Sequence, residues 1–227
     1  MLKRPDEEEQ KLLESLQDPS DIESYKRTRL HDVKAAIRHS WSDRAKRDCL
    51  DKTAEFQEIA DSITGEVGRR IRALLFLQSR LLKDIQRNDL DEDPICLESG
   101  RAVIDSNCHQ TVQLVMGQIN YWGKMKASKI LNSNEDLSPI WLRGIPRTPE
   151  QLAQFEVLGD PDEAISRWGF PVHVIFEEDR HSAIIVAKNE ESYTCFEQNG
   201  QKGPLRFKPL AEISKVRGQA KFVRPKA

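Results

Sequence analysis

The chain has 227 residues, of which 38% are hydrophobic and 32% charged, with a formal net charge of −2. That balance fits a polar globular protein, and neither the part before residue 95 nor the part after it is a basic half, so nucleic acid and anionic membranes are not expected partners. The longest apolar run near the middle, Ala73-Leu74-Leu75-Phe76-Leu77, falls far short of the ~20 residues that a membrane span needs.

The N-terminus, Met1-Leu2-Lys3-Arg4-Pro5-Asp6-Glu7, has no apolar core of the signal-peptide kind. The expected location is the cytoplasm, or outside it after export without a cleavable signal. Cys49, Cys96, Cys108 and Cys195 are widely and irregularly spaced, with no C-x-x-C pair, which argues against a zinc site or a disulfide framework and fits a reducing compartment. No set of His, Asp and Glu has metal-ligand spacing, and no metal or cofactor is expected.

Residues 1–94 read as a helical hairpin or small bundle. Pro5 followed by Asp6, Glu7, Glu8 and Glu9 suits a helix start, because acids there complement the dipole. A second start is plausible at Ser20-Asp21. From Asp43 to Arg87 the apolar residues Ala60, Ile63, Val67, Ile71, Leu74, Leu81 and Ile85 fall at helical spacing along one stripe. Gly65 and Gly68 interrupt it and either kink one helix or divide two. They do not follow a strand, so a phosphate loop is not supported. His31 and His39 read as two solvated histidines. The acidic run Asn88-Asp89-Leu90-Asp91-Glu92-Asp93-Pro94 is the expected domain boundary.

Residues 95–227 have a different texture. A helix is expected from Cys108 to about Tyr121, then a loop-rich stretch from Asn132 to Pro149 and a short helix over Asp162–Trp168. Val172–Phe176, Ser182–Val186 and Tyr193–Phe196 are rich in β-branched and aromatic residues and read as strands. Glu177–Arg180 and Asn189–Glu191 are suitable turns between them. Leu205–Phe207 and Lys221–Val223 add two short strands around a helical Pro209–Ile213. A helix followed by a run of antiparallel strands is an α+β layout.

Cys108 has an activating neighbourhood. Asn107 is a natural N-cap and Gln110 completes a variant of the capping box, which puts Cys108 on the first helical residue. A thiol there feels the positive end of the dipole, which favours the thiolate, and the free N–H groups are placed to hold an oxyanion. The plain alternative is a small buried cysteine. His181 opens a strand, fixed by the sheet on one side and reaching solvent on the other, as suits a general base. The next strand ends in Glu197-Gln198-Asn199, which the hairpin returns beside His181. Alternation puts Glu197 first as the residue orienting the imidazole, with Asn199 and Gln198 behind it. A bulge at the strand end would undo that ranking.

Cys108 starting a helix, His181 starting a later strand and a polar residue ending the next one resemble, in this order, the papain-like cysteine peptidase superfamily. The strand texture His181-Ser182-Ala183-Ile184-Ile185-Val186-Ala187, then Tyr193-Thr194-Cys195-Phe196-Glu197-Gln198-Asn199, looks most like its compact bacterial amidopeptidase, bacteriocin-leader peptidase and papain-fold toxin or effector branches. The resemblance covers roughly residues 95–225. It implies a nucleophile helix packed on an antiparallel sheet, Cys108 as nucleophile and His181 as base. It also implies hydrolysis or transfer of an amide or peptide acyl group through a thioester, on a peptide or protein substrate.

Two departures stand out. His109 follows the cysteine where papain proper has Trp, and no glutamine lies several residues upstream for the oxyanion hole. Asn107, the Cys108 N–H or Gln110 would serve there. His109 points about 100° away from Cys108 on a helix and either lines the cleft or is solvated. His173 lies opposite in phase to Val172 and Val174 and reads as a surface or satisfied histidine. Trp122, Trp141 and Trp168 line a cleft or fill core. Residues 1–94 would then regulate, target or bind a protein partner. The rival reading is a non-catalytic interaction protein that uses its amphipathic helices and carries a degenerate papain-like domain.

Overall fold

The computed structural model describes residues 43–87, 108–116, 153, 155–176, 181–199 and 203–226. The expectations for Pro5, Ser20, His31, His39, the acidic run 88–94, Asn107, Trp122, Trp141 and the loop 132–149 lie outside the described residues, as does the side chain of Gln110. The architecture is α+β, with helices and an antiparallel sheet. No described helix is long and apolar enough to cross a membrane.

The described residues fall into two compact units. The first holds residues 43–87 together with Gln198–Arg206. Its helices are α1 (Asp43–Asp51), α2 (Thr53–Ser62) and α3 (Gly65–Arg87), with α1 and α2 both packed against α3. The glycine interruption divides two helices. Ile63 is extended and ends α2, and Gly65 opens α3 at φ 72°, a conformation that glycine adopts without a Cβ penalty. Arg72 reaches back to the carbonyls of Ala60 and Ile63 at 3.1 and 3.4 Å. It thereby places a cation on the negative end of the α2 dipole. Ala60, Ile63, Ile71 and Leu74 of the expected stripe are buried, joined by Phe56, Leu75 and Leu82.

Gln78 of α3 is also buried, and its amide works as a strand residue would. Its Nε2 donates to the Leu205 carbonyl at 2.8 Å and its Oε1 accepts the Leu205 N–H at 2.6 Å. Both backbone groups of Leu205, which would be costly to bury unpaired, are satisfied.

The second unit holds 108–116, 155–197 and 207–226. Its helices are α4 (Cys108–Val115), α5 (Pro161–Trp168) and α6 (Leu210–Arg217). The strands of the sheet are β1 (Phe155–Leu158), β2 (Val172–Phe176), β3 (His181–Lys188), β4 (Tyr193–Gln198), β5 (Leu205–Pro209) and β6 (Ala220–Pro225), ordered β1-β6-β2-β3-β4-β5, of which Gln198 of β4 and Leu205 and Arg206 of β5 belong to the first unit. The β1/β6, β6/β2, β2/β3 and β3/β4 pairs are antiparallel. The strand at Phe155–Leu158 was not expected from the sequence. The C-terminal helix runs from Leu210 to Arg217, beyond the expected Ile213. Asp160 caps α5 by accepting the Glu163 N–H at 2.8 Å, with Pro161 at the first helical position. Asn189 closes the β3–β4 turn through its side chain, which accepts the N–H groups of Glu191 and Ser192.

Alternation gives the sheet two buried faces. Val172, Val174, Phe176, Ala183, Ile185, Cys195 and Phe222 form one core with Ala164 of α5 and Leu210 and Ile213 of α6. Phe155, Ile175 and Val223 cluster on the opposite face. α4 packs on β3. Trp168 lies partly buried against the first core, its Nε1 donating to Glu156 at 3.1 Å. Its place is core support.

The turn between α2 and α3 allows no side chain at residue 68, where a Cβ would stand 1.9 Å from the Ile63 carbonyl oxygen. Gly68→Ala should lower stability by about 1–3 kcal/mol, the usual cost of overpacking, seen as an earlier urea midpoint by circular dichroism. Gly159→Ala, which meets open space, should leave the midpoint within about 0.5 kcal/mol of the wild type.

Candidate active site

α4 begins at Cys108, so the thiol stands on the first helical turn, where backbone N–H groups lack intrahelical acceptors. The residue is 5% exposed. Its side chain is hydrogen-bonded to both His109 and His181. Burial works against ionisation, yet those bonds and the positive charge of the two imidazoles outweigh it and hold the Cys108 thiol down at about 5.

His181 is the first residue of β3. It was expected to reach solvent on one side, and it does not: the residue is 1% exposed. The Phe176 ring lies beside it, with centroids 5.8 Å apart, and its Nε2 meets Glu197 Oε2 at 2.5 Å. With Nε2 held by the carboxylate, Nδ1 is the nitrogen left for the Cys108 sulfur. Burial disfavours the imidazolium, but the bonds to Cys108 and Glu197 prevail and raise His181 to about 9.

Register explains why Glu197 is the partner. Ala183 pairs with Glu197, Ile184 with Phe196 and Ile185 with Cys195 in unbroken alternation. Glu197 therefore shares a face with Ala183 and, diagonally, with His181, while Phe196 turns to the other face. A register irregularity does occur, between Ile185 and Ala187. It lies past Cys195 and leaves the phase of Glu197 intact. Of the other third-member candidates, Gln198 donates its amide to the Gly203 carbonyl at 3.2 Å, and Asn199 gives its backbone N–H to Pro204.

Two more histidines are buried, one of them against expectation. His109 is neither solvated nor simply lining a cleft. It is buried, bonded to Cys108, and its Nδ1 meets Ser182 Oγ at 2.6 Å. Adjacent residues of a helix diverge, but the start of α4 lies against the start of β3, so both find partners there. His173 is 2% exposed rather than at the surface, because the second face of the sheet is covered too. Burial first, and the nearby charge of His109 second, push it down to about 3 and keep it neutral. Ser182 was not singled out from the sequence. The available signal was alternation, which turns a hydroxyl away from His181 toward the opposite face.

The other described cysteines behave as packing residues. Burial raises the Cys49 thiol to about 11 and pushes the Cys195 thiol up as well. No family model, no curated protein and no solved structure matches the chain.

The two shifts set a pH window. Cys108 is a thiolate above about 5 and His181 an imidazolium below about 9, so the charged pair exists between those limits. Alkylation of Cys108 by iodoacetamide, followed by peptide mass spectrometry, should rise through a midpoint near 5 and already be at its plateau at neutral pH. Cys49 and Cys195 should stay unlabelled in the folded protein. A Cys108 midpoint at the ordinary ~8.5 of a free thiol would contradict the pairing.

Proposed function

We propose that residues 95–227 form a papain-like cysteine hydrolase domain acting on an amide or peptide acyl group, with Cys108 as nucleophile, His181 as acid–base and Glu197 as its orienting partner. The observation that carries this reading is the chain of contacts Cys108–His181–Glu197, with the thiol on the first turn of a helix. The base has the nucleophile on one side and its orienting carboxylate on the other, the arrangement that activates a side-chain nucleophile.

The Cys108 thiolate attacks the acyl carbon and the carbonyl π electrons move to oxygen, facing the N–H groups of the first turn of α4. The tetrahedral intermediate collapses and the leaving amine takes the proton from His181, giving a thioester. Water then attacks as His181 accepts its proton, the C–S bond breaks and the thiolate returns. An amine in place of water would make the same site a transferase. Glu197 keeps the imidazole oriented and stabilises its charged form. Residues 1–94 are proposed as a partner-binding or regulatory region, and the lack of a disulfide at Cys49, Cys108 and Cys195 among the described residues favours a reducing compartment.

p-Nitrophenyl acetate tests the acyl chemistry without knowledge of the natural substrate. The wild type should release nitrophenol in a burst and carry one acetyl group on Cys108. Cys108→Ala should abolish the burst, and His181→Ala should slow it by roughly 10²–10⁴-fold, the usual worth of a general base. Glu197→Gln should slow it less, by about tenfold or more, because the amide still accepts a hydrogen bond but no longer stabilises imidazolium. An undiminished burst in Cys108→Ala would reject the reading.

A further inference from the structure

The start of α4 and the start of β3 meet as two neighbouring rungs. Cys108 bonds His181, and the next residues along each element, His109 and Ser182, bond each other at 2.6 Å. His109 also bonds the Cys108 side chain. The sulfur therefore interacts with two imidazoles, and each imidazole has its own anchor: Glu197 for His181 and Ser182 for His109. All of these groups are buried. The acid–base role uses only one imidazole and leaves the second unexplained.

The ring nitrogens of His109 divide the work. Nδ1 faces Ser182 Oγ, so the nitrogen available to the sulfur is Nε2. Where Nδ1 accepts the serine hydroxyl, the ring's hydrogen lies on Nε2. Where the ring is protonated, both nitrogens carry hydrogen. In both cases Nε2 carries a hydrogen that it can offer to the sulfur. Only the opposite tautomer, with Nδ1–H donating to Ser182, leaves Nε2 bare, and a bare nitrogen has nothing to offer a thiolate. A buried anion needs donors, because every lone pair left unmatched costs free energy.

We propose that His109 is a second catalytic residue, an Nε2–H donor to the Cys108 sulfur, and that Ser182 is the positioning residue that fixes its tautomer and ring plane. The proposal rests on the hydrolase reading of Cys108 and His181. It assigns His109 the sulfur's charge, while His181 handles the protons. The consequence falls on the second half of the reaction. In thioester hydrolysis the new C–O bond forms from water, whose proton passes to His181. The C–S bond then breaks and its electron pair leaves on sulfur. That departing thiolate goes onto the Nε2–H of His109, so the leaving group is stabilised without a proton being spent on it.

The pH dependence of Cys108 alkylation by iodoacetamide, in the full chain, reads the donor directly. The titratable groups facing His109 and Cys108 among the described residues are His181 from β3 and His173 from β2, with Glu197 from β4 standing behind His181. All three are left unchanged in the decisive variants. His109→Leu removes the donor and should move the alkylation midpoint up by at least one pH unit, a tenfold or greater loss of thiolate at a pH below the midpoint. His109→Gln returns an N–H donor of similar reach and should restore most of that shift. Ser182→Ala should fall between the wild type and His109→Leu.

Three results would overturn the assignment. One is a His109→Leu midpoint equal to that of the wild type. Another is equal upward shifts in His109→Leu and His109→Gln, because loss of packing alone would produce them. The third is a Ser182→Ala profile identical to the wild type while His109→Leu shifts, which would remove Ser182 from its positioning role. Failure of the underlying hydrolase reading looks different. There the wild-type midpoint itself lies in the ordinary thiol range and His181→Ala does not move it.

Discussion

A thiolate and an imidazolium that are both removed from water can persist only together. Burial alone would return Cys108 to a thiol and His181 to a neutral ring, since desolvation opposes each charged form. Their contact reverses both tendencies at once. The pair still needs outside help, because two buried charges rarely repay their lost hydration through mutual attraction alone. That help comes from the first turn of a helix under the sulfur, a carboxylate on the far side of the ring and a second histidine on the sulfur.

The scaffold can be understood as what holds those partners in phase. β3 supplies His181 on one face and Ser182 on the other. The regular stretch of β3/β4 pairing puts Glu197 on the His181 face. The rings are buried, and cores lie on both faces of the sheet. Val174, Phe176 and Ala183 are packed under one face, and Ile175 and Val223 under the other. Preorganisation here is a matter of register, which a sheet buried on both faces specifies strongly, because a slip of one residue would exchange every side chain between the faces.

Much of this was legible from the residues alone, for local reasons. Val172–Phe176 is observed as expected, because five residues between turn signals, four of them β-branched or aromatic, have little alternative. The helix begins at Cys108 as the capping pattern implied, and simple alternation ranked Glu197 ahead of Asn199 and Gln198. The misses are non-local. Phe155–Leu158 is a four-residue edge strand, too short to show a period. His173 reads as a surface or satisfied histidine, and His181 as reaching solvent on one side, because a single sequence does not say whether the second face of a sheet is covered. His109 reads as cleft-lining or solvated because helical geometry gives the divergence of two neighbours but not the element they both meet.

The charge state of His181 is the most direct measure of whether Cys108 and His181 form an ion pair. Ring nitrogen-15 shifts of selectively labelled histidine, assigned with His181→Ala and followed by nuclear magnetic resonance, report it without any substrate. The account predicts an imidazolium at His181 at about pH 7, losing its proton near 9. Alkylation of Cys108 should lower that transition, since the thiolate is then gone. A neutral His181 at the same pH, titrating near the ordinary value of about 6.5 and indifferent to alkylation, would contradict it.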